Sequence, residues 1–212
     1  MVKERVRSSG EEITNAVTHG FGAVLIIAAL PFLLAAALEH GGAMTVVNAS
    51  VFATTAIVLY VASMLYHAVP FGRLKRVFQV ADRSAIFLLI AGTYTPFMLG
   101  ALRGPWGWSL FGVEWGLAMF GILKELVPTM RQRIPALSLY LLMGWLAVVA
   151  TVPLATHVQL GGILLIVAGG CAYTIGVVFY AIEQIPYFHV VWHLFVLMGT
   201  TCHFFAVMHY SA

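Results

Sequence analysis

"YFHVVWHLFVLMGTTCHFFAVMHY", residues 187–210, decides how this chain is to be read. The stretch carries no Lys, Arg, Asp or Glu. A helix needs about 20 mainly apolar residues to cross the hydrocarbon core of a bilayer. This run is long enough, so it reads as a membrane span. Yet His189, His193 and His203 interrupt it. An imidazole in hydrocarbon is costly unless something satisfies it, and ionisable groups inside spans mark functional sites.

The rest of the chain agrees with a membrane setting. Of 212 residues, 61% are hydrophobic and 9% charged, against about 25% charged in soluble domains. The mean hydropathy is +0.96. Six more apolar runs precede the first quoted one, at 20–38, 45–66, 84–102, 106–123, 136–154 and 161–182. The gaps are short and carry Gly, Pro or charge, as in "EHGG", "PFGRLKR", "RGPWG", "VPTMRQRIP" and "EQIP". The expectation is an all-α, seven-transmembrane helix bundle forming one domain over 1–212, with 1–19 as an N-terminal segment. The first run follows basic residues as a signal peptide would, but its apolar stretch exceeds the usual 7–15 residues. It is therefore counted as a span.

Lys and Arg set the orientation. With seven spans, Lys3, Arg5, Arg7, Arg73, Lys75, Arg76, Arg83, Lys124, Arg131 and Arg133 fall on one side, and Arg103 falls alone on the other. That predicts a cytoplasmic N-terminus and an outside C-terminus. No basic stripe forms, so the net charge of +3 does not indicate a nucleic-acid partner. Cys171 and Cys202 lie in apolar runs without CxxC spacing and read as packing residues.

On this topology polar residues gather at the cytoplasmic end. His189 and His193, spaced i, i+4, share one helix face and can share a metal. His67, closing the second run, can supply a third ligand. Three protein ligands with an open position is the pattern of a catalytic zinc site. Ser63 lies one turn before His67. Asp82, in "ADRSAIF", is placed at the start of the third helix, where an N-cap is the ordinary alternative. Glu12, Asn15 and His19 share one face before the first span, with His19 opening that helix. For each residue alone a plain role suffices: a solvated Glu12, or a Ser63 bonded to its own backbone. Their convergence points to a site. His203 lies about 15 Å deeper than His193 and is expected to hydrogen-bond across the bundle. Glu114, midway along the fourth run, stands apart without a role.

These motifs carry a resemblance. "EITNAVTH", "SMLYH", "DRSAIFLLIAGTYTPF" and "HVVWHLFVLMGTTCHF", in this order, resemble the hemolysin III family, the bacterial branch of the progestin and adipoQ receptor superfamily. The resemblance covers nearly the whole chain. It implies a zinc ion near the cytoplasmic face, held by His67, His189 and His193, with Ser63 and Asp82 matching the family's serine and aspartate. The related alkaline ceramidases hydrolyse lipid amides. The long N-terminal domain of the animal receptors has no counterpart in the sequence, so hormone binding is not expected to transfer.

The leading expectation is a zinc hydrolase of acyl lipids in a bacterial inner (plasma) membrane, acting in lipid homeostasis. Asp82 would be its general base and Ser63 its oxyanion donor. Glu12, Asn15 and His19 would line the mouth or hold a ligand's second nitrogen. The partners expected are membrane lipids. Rival expectations are a non-enzymatic sensor with structural zinc closed by Asp82, and a cytolysin. A pore would need polar stripes along several helices, and the apolar spans do not provide them. A transporter through Glu114 and His203 would call for a broken helix pair, and none is visible in the sequence.

Overall fold

The computed structural model describes residues 5–182 and 184–211. Lys3 of the orientation argument and Glu183 of the "EQIP" gap lie outside the described residues. Among those described there are helices and no strands, which agrees with the all-α expectation.

Helix α1 runs from Ser9 to Ala68. It starts at a reciprocal cap. The Glu11 N–H donates to Ser8 Oγ at 3.3 Å, and the Ser8 N–H donates to Glu11 Oε2 at 2.9 Å. His19 therefore lies in the third turn of α1 and does not open it. A straight helix of this length would reach about 90 Å, three times a hydrocarbon core of about 30 Å. It breaks at Gly42, whose φ of 74° and ψ of −160° lie in a region open almost only to glycine. Gly42 closes the "EHGG" gap that separates the first two apolar runs. The arms fold back on each other. Glu12 meets His67, and Gly22 lies so close to Tyr60 that a Cβ there would sit 3.1 Å from the ring.

Helix α2 spans Arg73–Leu99. Asp82 thus sits more than two turns inside it, not at an N-cap. The sequence misplaced that start because Arg73, Lys75 and Arg76 look like loop, although they form the helix's first turn. Helix α3 spans Pro105–Leu126, with proline at its first position, where no N–H is needed. Short α4, Pro128–Arg133, follows.

The fifth apolar run, expected as one helix, is broken. It consists of α5 (Ala136–Gly144), a 3-10 turn (Trp145–Val148) and α6 (Thr151–His157), and the two halves are bent by 51°. Two features cause the break. Pro153 offers no N–H to the Val149 carbonyl, just past the 3-10 turn, so the helical ladder is not continued there. The Tyr94 phenol replaces the missing bonds: it donates to the Met143 and Gly144 carbonyls at 3.1 and 2.7 Å and accepts the Ala147 N–H at 2.9 Å. Helices α7 (Leu160–Ala181) and α8 (Phe188–Tyr210) complete the chain, with α8 packed against both α1 and α7.

By length and apolar content α1, α7 and α8 can cross a membrane, and the bent α5–α6 pair makes a fourth. Large apolar side chains face outward along them, among them Val24, Phe32, Val152 and Leu164. Polar groups such as Asn15, Ser63 and His193 are buried instead. This inside-out distribution belongs to an integral membrane protein.

Candidate metal centre

Two helices bring the histidines together. His67 ends the second arm of α1, and His189 and His193 occupy successive turns of α8. One nitrogen from each lies within 4.8 Å of the others, and all three residues are buried. A zinc–nitrogen distance of about 2.1 Å limits nitrogens around one ion to about 4.2 Å apart, a contraction within reach of side-chain adjustment.

The hydrogen bonds around the rings decide which nitrogens are available. The Glu12 carboxylate accepts from His67 Nδ1 at 2.8 Å and from Lys75 Nζ at 3.2 Å. Burial pushes the Glu12 pKa up, but His67 and Lys75 outweigh it and hold the carboxyl below its usual value. With the proton on Nδ1, His67 Nε2 bears a lone pair, and that buried atom has no hydrogen-bond partner among the described residues. At His193, Nδ1 lies 3.2 Å from Thr18 Oγ1. The Thr18 hydroxyl donates to its own helix backbone, to Asn15 O at 2.9 Å, so it accepts from His193. Nε2 of His193 is thereby the bare nitrogen. Oriented rings of this kind are how proteins prepare histidine for a metal.

His189 is arranged differently. Its Nδ1 lies 3.2 Å from Arg7 Nη2, and a guanidinium can only donate. Arg7 also reaches the Tyr66 hydroxyl at 3.5 Å. Glu11 secures the start of α8: its carboxylate pairs with Arg5 and accepts the Tyr187 N–H at 2.9 Å. Tyr187 caps α8 at a φ of 65°, left-handed for a non-glycine residue. Arg5 foremost, against burial and with help from the Tyr187 and Ser8 N–H groups, draws the Glu11 pKa down to about 2.

The remaining sequence candidates surround the rings. His19 stacks on His193, centroids 3.6 Å apart and planes 14° off parallel, and meets Tyr60 edge-on. Among the described residues, both His19 nitrogens and both Asn15 amide atoms have no hydrogen-bond partner, and buried Ser63 Oγ is turned to the Asp82 carboxyl rather than to its own backbone. The alternative of a Ser63 bonded to its own backbone is therefore not what the fold shows. A small pocket of about 30 Å³ is lined by Ser63, Asp82, His19, His189, His193 and Arg7. That is room for about one or two waters. Buried orphaned polar atoms are rare and call for an ion or ordered water. Such a concentration, with bare ring nitrogens, fits a divalent metal with solvent beside it.

Two residues fall outside this group. His203 accepts its place deeper in α8, with Nε2 3.2 Å from the Ile166 carbonyl of α7, a bond across the bundle as expected. Glu114 is fully buried in α3, apart from the histidines. Sequence reasoning missed Arg7, Glu11, Thr18 and Lys75. Only Glu11 had a readable signal, the Ser8-x-x-Glu11 capping pattern.

Fold and site together define an all-helical integral membrane protein with a buried three-histidine cluster near its N-terminal segment. Comparison with known families then matches residues 8–204 to the haemolysin-III related family, and the chain belongs to it. Hemolysin-3 of Bacillus cereus is 45% identical over 201 residues, covering 94% of this chain and 91% of that protein. The Hemolysin-3 homolog of Bacillus subtilis (strain 168) is 40% identical over 200 residues, 94% of each chain. More distantly, the monocyte to macrophage differentiation factor of Homo sapiens is 28% identical over 214 residues, 94% of this chain and 84% of that protein.

Proposed function

We propose that the chain is a zinc-dependent hydrolase of acyl lipids, with seven spans and a cytoplasmic N-terminus, in a bacterial plasma membrane. One observation carries this reading: the histidine pocket adjoins a large apolar cavity. The cavity holds about 290 Å³, and Leu59, Ile86, Trp192 and Val196 line both spaces. Acyl chains fit the apolar space, and the polar end of a lipid then lies at the histidines. Seven spans follow if both arms of α1, then α2, α3, the bent α5–α6 pair, α7 and α8 each cross once.

His67, His189 and His193 would hold the zinc, which when bound supplies Lewis-acid activation of water and of the scissile carbonyl. Asp82 accepts the proton of the attacking water, then passes it to the leaving group. Ser63 donates its hydroxyl to the oxygen on which charge develops, an interaction typically valued at about 3 kcal/mol. Glu12 and Thr18 hold the rings of His67 and His193 in the tautomer that leaves Nε2 free. Trp192 and Val196 keep bulk water from the acyl chain.

The test pairs metal analysis with lipid turnover. Purified protein is expected to carry one zinc, lose it on His189→Ala, and cleave an amide or ester in a broad lipid panel. Stoichiometric zinc without any cleavage would instead favour a non-enzymatic sensor, with Asp82 closing the metal site. The shared pocket of Asp82 and the α8 histidines supports that second reading. The hemolysin names of the Bacillus relatives support a third, cytolysis, which dye release from liposomes by the pure protein would reveal.

A further inference from the structure

Glu114 has no place in the chemistry above. It is fully buried in α3, and among the described residues neither carboxyl oxygen has a hydrogen-bond partner. Helical spacing shows what it faces. Leu110, one turn earlier, belongs to a buried cluster that joins Met98 of α2 to Ala150 and Leu146. Ala118, one turn later, belongs to a buried cluster that joins Phe87 and Ala91 of α2 to Tyr140 and Met143. Met143 and Ala150 flank the 3-10 turn that interrupts the fifth run. Glu114 lies between them, level with the break.

The donors around it are committed elsewhere. The Tyr94 hydroxyl gives its hydrogen to the Met143 and Gly144 carbonyls. Trp115 Nε1 donates to Thr95 Oγ1 at 3.1 Å. Lys124, ten residues along α3, is paired with Glu125. The titratable groups on the packed elements are Tyr94 of α2 and Tyr140 of α5. His157, ending α6, is exposed and turned onto its own helix at the Pro153 carbonyl. Among the described residues nothing cationic meets the carboxyl, so a carboxylate here would be an uncompensated charge in a low-dielectric interior. A neutral acid has no such cost, and the proton is its ligand. Broken spans beside intramembrane acids are where membrane proteins place ion and proton sites. A short 3-10 stretch within a helical run also marks a hinge.

We propose that Glu114 and the break between α5 and α6 form a proton-binding site, separate from the histidine cluster. In the packed arrangement the acid carries the proton. Rearrangement of the break, held by a single phenol, is the route by which water reaches it and the proton leaves.

Infrared difference spectroscopy tests this on the full chain in liposomes at neutral pH. The expected result is a protonated-carboxyl band that shifts with 13C-labelled glutamate and in D2O, and is lost in Glu114→Gln. Glu114→Asp keeps a displaced band, which covers the case where the glutamine variant does not fold. His189→Ala and metal-stripped protein retain the wild-type band. Absence of the band in wild type, or its survival in folded Glu114→Gln, overturns the proposal. Its loss in His189→Ala overturns the separation of the two sites.

Discussion

Glu12 and Arg7 treat their histidines in opposite ways. Glu12 accepts a hydrogen bond from His67 Nδ1–H and leaves Nε2 to a metal. Removing its charge weakens that preparation, and outer partners of this kind are worth about 10–100-fold in metal affinity. Glu12→Gln is expected to lower zinc affinity within that range while the fold persists, measured by chelator competition and thermal unfolding. Arg7 instead places a donor on His189 Nδ1. Metal on Nδ1 would take the lone pair that Arg7 uses. Metal on Nε2 would leave a proton on Nδ1, donor facing donor. Either way the Arg7 contact and metal binding oppose one another. Arg7→Gln is therefore expected to tighten zinc about tenfold, roughly 1.4 kcal/mol at the arithmetic of binding constants. Glu11 titrates below its ordinary value, pulled from 4.5 to about 2 by Arg5. Its folded-state pKa is depressed, so its contribution is fully present above pH 4.5 and is lost as pH falls from there toward 2. Glu11→Gln is expected to be less stable than the native chain at pH 7 and nearly equal to it at pH 2, read by thermal melts in detergent. The i, i+4 spacing of His189 and His193 was legible in the sequence. The tautomers were not, because Thr18 and Arg7 reach the rings from segments about 175 to 182 residues away.

Among the elements, α1 and the α5–α6 pair show what composition conveys and what it hides. The hydropathy gap at "EHGG" located the fold-back of α1, since Gly42 alone there adopts a positive φ. A Cβ at Gly42 would meet nothing within 4 Å, so its replacement costs only backbone strain, about 1–3 kcal/mol. Gly42→Ala is expected to lower the melting temperature by that equivalent, with zinc content retained. The break in the fifth run left no such trace. Its residues are as apolar as those of a continuous span, and the group that stabilises the break, Tyr94, belongs to α2. Burying the carbonyls and N–H without it leaves them unsatisfied, at about 1–3 kcal/mol per orphaned group. The start of α2 was hidden for the converse reason. Lys75 looks like loop in the sequence, yet its Nζ is committed to the Tyr66 carbonyl at 3.0 Å and to Glu12, which ties the basic first turn to the site.

At the scale of the whole molecule the two spaces share lining residues, the polar pocket beside the N-terminal segment and the apolar cavity among α1, α2, α3, α5, α6, α7 and α8. The chain's two free cysteines report on this arrangement separately. Cys171 lines the apolar cavity, whereas Cys202 does not, although both sit on the apolar helices α7 and α8. An acyl chain lying in the cavity covers the first thiol and leaves the second as it was. Long-chain acyl amides or fatty acids are therefore expected to slow maleimide labelling of Cys171 several-fold, with Cys202 labelling unchanged, followed by mass spectrometry on Cys171→Ser and Cys202→Ser variants. Zinc removal separates the contributions of the two spaces. If the lipid is anchored by its polar end at the histidines, protection of Cys171 weakens when His67→Ala abolishes metal binding. If apolar burial alone holds it, protection is the same with and without the metal, and the cavity then acts as a binding site that the metal does not govern. Equal labelling of Cys171 in the presence and absence of every acyl ligand would remove the cavity from the proposed chemistry altogether.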